Sequence, residues 1–412
     1  MGGHEPGTRG SRETVSRSVA VERLLGLRDA TAVPPAERGD PATERVDLDR
    51  AAGRVLAEPV QSPADVPEYD RATMDGYAFA ADDRYPLTVV AEVFPEDDPP
   101  EIGRGEAVAV ATGAPLPPRA DAVLMREEAT VEDERLTGPA RDPGTNVYAA
   151  GTTAAAGERL FEAGDRLAPR HAALLRDVGV GTVTVRRPHD VAVLATGTEI
   201  AEGRQPDRDS EALCNLLRRW GTVPELLEPV PDDEGVVRET IERVAADYDA
   251  VVTTGGTSVG RADHVVGVLL DHDVLFCGVS LRPGRPVTVA TVGETPVLAL
   301  PGKPVAAHTA ATLVCRAFFT AETALPTVSA DSTVRLTVPD EDVTFAVPVT
   351  LDEGTATPLG HADSELALYD ERFAPGRVAS STRVTLADGV VLTGTGLEAG
   401  ERVEVVPYEV IE

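Results

Sequence analysis

The sequence predicts a multidomain protein of the α/β and β classes. Three observations carry that expectation. The chain has 412 residues, more than one hydrophobic core can serve. Its central part alternates continuous apolar runs with amphipathic ones, and short β-like runs broken by Pro and Gly lie on both sides of it. Only 4% of residues are aromatic, and 33 Pro and 37 Gly punctuate the chain, which favours short elements joined by turns.

Taken in order, residues 1–17 are polar and Gly-rich without an apolar run, and are expected to form a disordered tail. Val19, Val21, Leu24, Leu25 and Leu27 fall largely on one face of a helix over 18–28, and 55–60 reads as a short strand. The polar loop 67–78 carries an Asp75-Gly76 turn signal. Short β runs at 87–93, 107–111 and 122–125 suggest a small β domain over 85–140, inserted into an N-terminal domain made of 18–84 and 141–187. A helix over 169–178 stops at Gly179, and 182–186 alternates as a strand. After Pro188 the pattern becomes βαβ. Strands are expected at 191–194, 224–230, 250–254 and 297–300, and helices at 210–220, 234–246, 263–270 and 305–319. Strands apolar on both faces imply a mostly parallel sheet over 188–328, with its ligand beyond the strand carboxyl ends. Residues 329–412 return to short strands, such as 390–392 and 403–406, and read as a separate β domain or barrel.

The charge balance excludes several functions. With 69 acidic against 38 basic residues the formal net charge is −31, so nucleic acid and anionic membranes are poor partners. Lys303 is the sole lysine. An acidic, lysine-poor surface predicts a halophilic protein, because like-charge repulsion is screened within about 3 Å at 1 M salt. Cys214, Cys277 and Cys315 are far apart and odd in number, and the histidines lack metal-finger spacing, so neither a disulfide framework nor structural zinc is expected. No apolar run nears the roughly 20 residues of a spanning helix, and the expected location is cytoplasmic.

Four segments at the ends of these strands bear chemistry. The run Gly255-Gly256-Thr257-Ser258-Val259-Gly260 is a tight turn or an anion cradle; glycines let backbone N–H groups approach an anion, and Ser258 adds a donor. Glu199, in Thr196-Gly197-Thr198-Glu199, begins a helix or holds Mg²⁺ beside a phosphate. Arg282 and Arg285, on the stiff loop Ser280-Leu281-Arg282-Pro283-Gly284-Arg285-Pro286, suit a tetrahedral oxyanion or surface ion pairs. Lys303 stands between Pro301 and Pro304 at a helix start, a rigid electropositive corner.

Five motifs in collinear order resemble the molybdopterin molybdenumtransferases, the family that includes the C-terminal domain of gephyrin. They are Tyr-Asp-Arg-Ala-Thr-Met-Asp-Gly-Tyr-Ala (69–78), Thr-Gly-Ala-Pro-Leu-Pro (112–117) followed by Ala-Asp-Ala-Val-Leu-Met (120–125), Gly-Gly-Thr-Ser-Val-Gly-Arg-Ala-Asp (255–263), Arg-Pro-Gly-Arg-Pro (282–286) and Leu-Pro-Gly-Lys-Pro (300–304). The resemblance implies four subdomains, with a MogA-like three-layer α/β/α domain at 188–328 and a β-barrel at 329–412. It also implies an elongated homodimer with an active cleft shared between subunits, and Mg²⁺-dependent insertion of molybdate into adenylylated molybdopterin with release of AMP. A molybdopterin adenylyltransferase is an expected partner.

Carried over by motif, Asp75, Thr112, Glu199, Asp232, Asp263, Pro301 and Pro304 match positions tied to function, with Glu199 and Asp263 as metal ligands. Gly255, Gly256, Ser258, Gly260, Arg282, Arg285 and Lys303 complete the expected substrate site, the two arginines standing where the family usually has lysines. The chain departs from the pattern at Ala72 (Ser in the family), Thr152 and Thr153 (carboxylates), Glu211 and Lys303 (Asn), and Ala306 (Ser), and only Ser380 and Ser381 echo the C-terminal Gly-Ser-rich motif. Alternatives to molybdate insertion are a non-catalytic or tungstate-preferring molybdopterin-binding paralogue, and a molybdopterin adenylyltransferase.

Overall fold

A computed structural model describes residues 13–31, 43–255 and 264–412. The chain divides into two compact units, Thr43–Arg187 on one side and Met1–Ala42 with Pro188–Glu412 on the other. Helix α1 (Arg17–Ala30) belongs to the second.

The unit Thr43–Arg187 is built from nested antiparallel pairs. Strand β1 (Thr43–Asp47) pairs with β12 (Thr182–Arg186), β2 (Val60–Gln61) with β11 (Arg159–Phe161), and β3 (Arg71–Ala72) with β10 (Val147–Tyr148). Helix α2 (His171–Asp177) closes a small core of Val46, Leu48, Leu56, Leu167, Leu175, Val183 and Val185. Enclosed by the innermost pair is a six-stranded sheet of β4 (Gly76–Phe79), β5 (Leu87–Val93), β6 (Glu106–Val110), β7 (Ala122–Met125), β8 (Thr130–Glu132) and β9 (Arg135–Thr137), in the order β7-β4-β6-β5-β9-β8. This is the inserted β domain that the sequence predicts.

In the second unit, β13 (Asp190–Ala195), β14 (Val223–Leu226), β15 (Ala250–Thr254), β16 (Asp273–Cys277), β18 (Thr288–Val292) and β19 (Thr295–Leu300) form a sheet in the order β14-β13-β15-β19-β18-β16. The first four run parallel. Val191 and Val193 enter one core with Leu213, Leu216 and Leu217 of α4 (Ser210–Arg219) and with the helical run of α7 (Pro304–Ala310), a π turn over Ala311–Cys315 and α8 (Arg316–Thr320). Their neighbours Ala192 and Leu194 enter the other, with Val237, Ile241 and Val244 of α5 (Glu234–Asp247) and Val265 and Val268 of α6 (His264–Leu269). Both faces are therefore covered, giving three layers, and this explains why the strands carry no polar alternation.

The strands β20 (Val328–Ser332), β21 (Thr344–Asp352), β22 (Thr355–Pro358), β23 (Gly389–Thr393) and β24 (Arg402–Pro407) each pair with two others of the five, and the β21–β23 pairing closes the ring into a barrel. Phe345, Val347, Val349, Phe373, Val391 and Val405 pack in its core. Strand β17 (Leu281–Arg282) adds to β21 in parallel, which ties the arginine loop to the barrel.

Several expected boundaries change. Residues 13–17 are not a disordered tail: Val15 is buried, its N–H donates to Gly278 O (3.1 Å), and Ser280 N donates back to Val15 O (2.8 Å). Helix α1 joins the unit of 188–412, not the N-terminal domain. Ala20 and Leu24 are buried in its core, and Arg17 Nε and Arg23 Nη1 each donate at 2.8 Å to the carbonyls of Leu313 and Leu275. An apolar helical stripe says that a partner exists, not which. The inserted sheet occupies 76–137 instead of 85–140, because β4 lies between β6 and β7 and is too short to show alternation. The strand expected at 55–60 shrinks to bridges at Val55 and Leu56 before β2, and that at 224–230 to β14. Strands β16 and β18 were not foreseen.

Candidate functional site

The parallel neighbours β13, β15 and β19 end at the same edge of the sheet, and the segments leaving them line a cavity of about 710 Å³. Strand β13 supplies Thr196, Gly197 and then Glu199 on the short helix α3 (Thr198–Ala201). Strand β15 supplies Thr254 and Gly255, and β19 supplies Pro301, Gly302, Lys303 and Pro304. Asp232, the loop 282–286 and residues 205–209 complete much of the wall, with Pro375, Gly376 and Ala379 from α9 (Pro375–Ser380). A ligand site beyond the carboxyl ends of parallel strands is the expected place in such a sheet.

The turns need particular backbones. Gly255 has φ +87° and lies so close to Thr196 that a Cβ would collide with the Thr196 carbonyl oxygen. Gly284 has φ +112° and packs against α7, with a built Cβ 3.5 Å from Ala306 O. The Pro-flanked turn can thus lie on the helix while Arg282 and Arg285 flank it.

Charges of both signs meet in this cavity. Arg282 Nη1 donates to Glu341 Oε1 at 2.9 Å, so the surface ion-pair reading holds for this residue even as it lines the wall. The side chains of Arg285 and Lys303 are exposed and make no ion pair among the described residues. Opposite in sign are Glu199 and Asp232. Burial, and secondarily the Glu199 carboxylate, raises the Asp232 pKa above the usual range, with His264 opposing. Asp232 N donates to Thr198 Oγ1 at 3.0 Å, which ties the two acidic segments together.

Of the residues singled out from sequence, Glu199, Asp232, Gly255, Arg282, Arg285, Pro301, Lys303 and Pro304 line this one cavity. Gly256, Ser258, Gly260 and Asp263 lie outside the described residues. Asp75 and Thr112 belong to the other unit and pair there: the Thr112 N–H and Oγ1 both donate to Asp75 Oδ1 at 2.7 Å. These bonds hold the exposed Asp75 carboxyl below its usual range, the Thr112 hydroxyl first.

Sequence reasoning missed Asp207 and Asp209, because 202–209 is so polar that it reads as a solvated loop. The carboxyl of Asp209 is buried and pushed up to about 6, first by desolvation and then by Asp207. The signal that could have found it is the Asp-Ser pair at the head of α4. The α9 wall was also missed; the echo of the C-terminal motif drew attention to Ser380 and Ser381, at the end of that helix.

Among the described residues no group of three or more His, Cys, Asp or Glu is arranged to hold a metal. Glu199 and Asp232 are nevertheless two hard oxygen donors facing one cavity. That set fits Mg²⁺, which is commonly held by one or two carboxylates together with ligand phosphates and water. Among the described residues no helix is long and apolar enough to cross a membrane.

Residues 17–179 match the MoeA N-terminal region (domain I and II), and 192–321 match the probable molybdopterin binding domain. The molybdopterin molybdenumtransferase of Nostoc sp. is 36% identical over 289 residues, 64% of this chain and 66% of that protein, so the match spans just under two thirds of its length. That of Synechococcus elongatus is 32% identical over 319 residues, covering 71% of this chain and 76% of its own. The chain belongs to the molybdopterin molybdenumtransferase family. A solved molybdopterin biosynthesis moeA protein from Pyrococcus horikosii, 28% identical, agrees over 96% of this chain and 99% of its own with a TM-score of 0.75. Membership in the molybdopterin molybdenumtransferase family gives the chain a role in molybdenum cofactor biosynthesis.

The departures from the molybdopterin molybdenumtransferase pattern fall in different settings. Lys303 and Ala306 line the cavity. Ala72 is buried in the inserted domain's core, where a methyl packs without a hydroxyl to satisfy. Thr152 Oγ1 donates to Ala149 O (2.7 Å), and Thr153 Oγ1 bonds Tyr148 OH (2.9 Å), so both are engaged locally. Glu211 is exposed in the first turn of α4, where a negative charge suits the helix dipole.

Proposed function

We propose that this chain inserts molybdate into adenylylated molybdopterin and releases AMP, acting as a cytoplasmic homodimer with Mg²⁺. One observation supports this above the others: on a molecule of net charge −31, Arg282, Arg285 and Lys303 share a single cavity with Glu199 and Asp232. Cations and backbone amides hold oxyanions, here molybdate and the phosphates of the ligand, through charge-assisted hydrogen bonds in a concave site. Arg285 and Lys303 bring donors to those oxygens, and Arg282 is steadied by Glu341. Glu199 and Asp232, with Asp263, would hold the ion. When bound, Mg²⁺ supplies charge neutralisation on the pyrophosphate that links molybdopterin to AMP. Attack by water, or by a molybdate oxygen followed by hydrolysis of the mixed anhydride, breaks that bond and leaves AMP and the molybdopterin phosphate.

The test is AMP release from adenylylated molybdopterin, with molybdate and tungstate compared. Molybdate-dependent release that falls about 100-fold in Arg285→Ala supports the assignment, since a lost oxyanion donor costs about 3 kcal/mol of barrier. Tight pterin binding without AMP release would favour a carrier. ATP consumption without molybdate would favour the adenylyltransferase reaction.

A further inference from the structure

Asp209 stands at the head of α4, where a carboxylate ordinarily accepts from the first-turn N–H groups. Its side chain makes no such bond. Asp207 Oδ1 takes that role, accepting from Asp209 N at 3.0 Å and Ser210 N at 3.1 Å. Asp209 is only 6% exposed and lines the cavity. Its Oδ1 is buried with no hydrogen-bond partner among the described residues. Leaving such an acceptor unsatisfied costs about 1–3 kcal/mol, and more when it is charged. Buried orphans of this kind call for a group that completes them.

The chemistry of that group follows from the cavity wall. Arg282, Arg285 and Lys303 are donors only and suit the anionic part of a ligand. Among the acidic groups, Glu199 and Asp232 line the same cavity and are assigned to the ion, and Asp207 is occupied at α4. Asp209 is the remaining acidic acceptor on this wall among the described residues. An ionised carboxylate accepts and cannot donate. A ring edge with adjacent N–H donors therefore suits it, as on the 2-amino and N3–H side of a pterin. The adenine edge, alternating donor and acceptor, suits it less.

We propose that Asp209 reads the ring of the ligand, its Oδ1 accepting from the amino edge of a pterin. This rests on the molybdopterin reading given above and assigns to Asp209 the selection of the ring, separate from the cations that take the oxyanions.

The experiment compares 6-carboxypterin with its 2-oxo counterpart, 6-carboxylumazine, by fluorescence titration of the wild-type chain and Asp209→Asn near neutral pH. Asparagine keeps the shape and removes the charge. The wild type is expected to bind the pterin roughly tenfold tighter than the lumazine, the range for one charge-assisted hydrogen bond, and Asp209→Asn to bind both alike. Inorganic phosphate binding should be unchanged in the variant. A pterin preference that survives in Asp209→Asn overturns the proposal while leaving the function standing, as does an equal loss of pterin and phosphate. A wild type that binds phosphate but neither ring overturns both. Should the Asn variant fail to fold, Asp209→Ser provides the same comparison.

Discussion

Gly302 and Gly255 lie back to back: a Cβ built on Gly302 would stand 2.9 Å from Gly255 Cα and 3.3 Å from its nitrogen. The turn leaving β19 approaches Gly255 so closely that Gly302 has no room for a side chain, while on Gly255 itself a Cβ would meet Thr196. Gly302→Ala must therefore displace backbone, and overpacking of this kind costs about 1–3 kcal/mol. Denaturant unfolding would show the loss, and the same variant should weaken phosphate binding, because the displaced turn carries Lys303. Unchanged stability would show that the two turns are not held together.

The Asp75–Thr112 pair makes a pH prediction. A carboxyl whose folded pKa is depressed adds stability that is present above its unfolded value, about 3.9, and lost as pH falls through the lower folded value. Thr112→Val removes the hydroxyl, the larger cause of the depression, and keeps the N–H. The Asp75 carboxyl, followed by NMR titration, should then titrate at higher pH. An unchanged midpoint would mean that the hydroxyl does not face the carboxylate in solution.

Asp209 has the opposite sign. With its folded pKa pushed up to about 6, the native state holds a proton that the unfolded chain releases near pH 3.9. Its contribution to stability therefore falls as pH rises between those values. Asp209→Asn removes this penalty, so the variant should gain on the wild type as pH rises from about 4 to about 7, on the order of 2 kcal/mol. Parallel stability curves for the two proteins across that range would contradict it.

The surface charge sets a salt dependence. We propose that the fold is halophilic: at net charge −31 self-repulsion opposes the compact state. Raising KCl from about 0.1 M to about 1 M shortens the screening length from about 10 Å to about 3 Å. The melting temperature should rise by several degrees over that range, and a flat response would remove the idea.

Much of the fold was legible because it depends on local pattern. The apolar run 191–194 is buried on both faces of one sheet, and 210–220 and 234–246 carry helical stripes that match α4 and α5 nearly to the residue. The hairpin of β18 and β19 escaped notice: its first strand follows the Arg-Pro loop without a break in composition, and only Gly293, at φ +63°, marks the turn. Of the site, Arg282, Arg285, Lys303 and Glu199 were visible because a cation on a Pro-stiffened loop, or an acid just past a buried strand, is unusual for its surroundings.

The sequence by itself determined which segments are apolar on one side or both, where turns interrupt them, and that cations are scarce. Those are properties of neighbours along the chain. Only the tertiary structure decided that α1 packs with the 188–412 unit, that β17 ties the arginine loop to the barrel, and that Asp209 is a buried carboxyl with an unpaired oxygen. Each of these is set by pairings between residues far apart in sequence, and an exposed and a buried aspartate are spelled alike until the chain has folded around them.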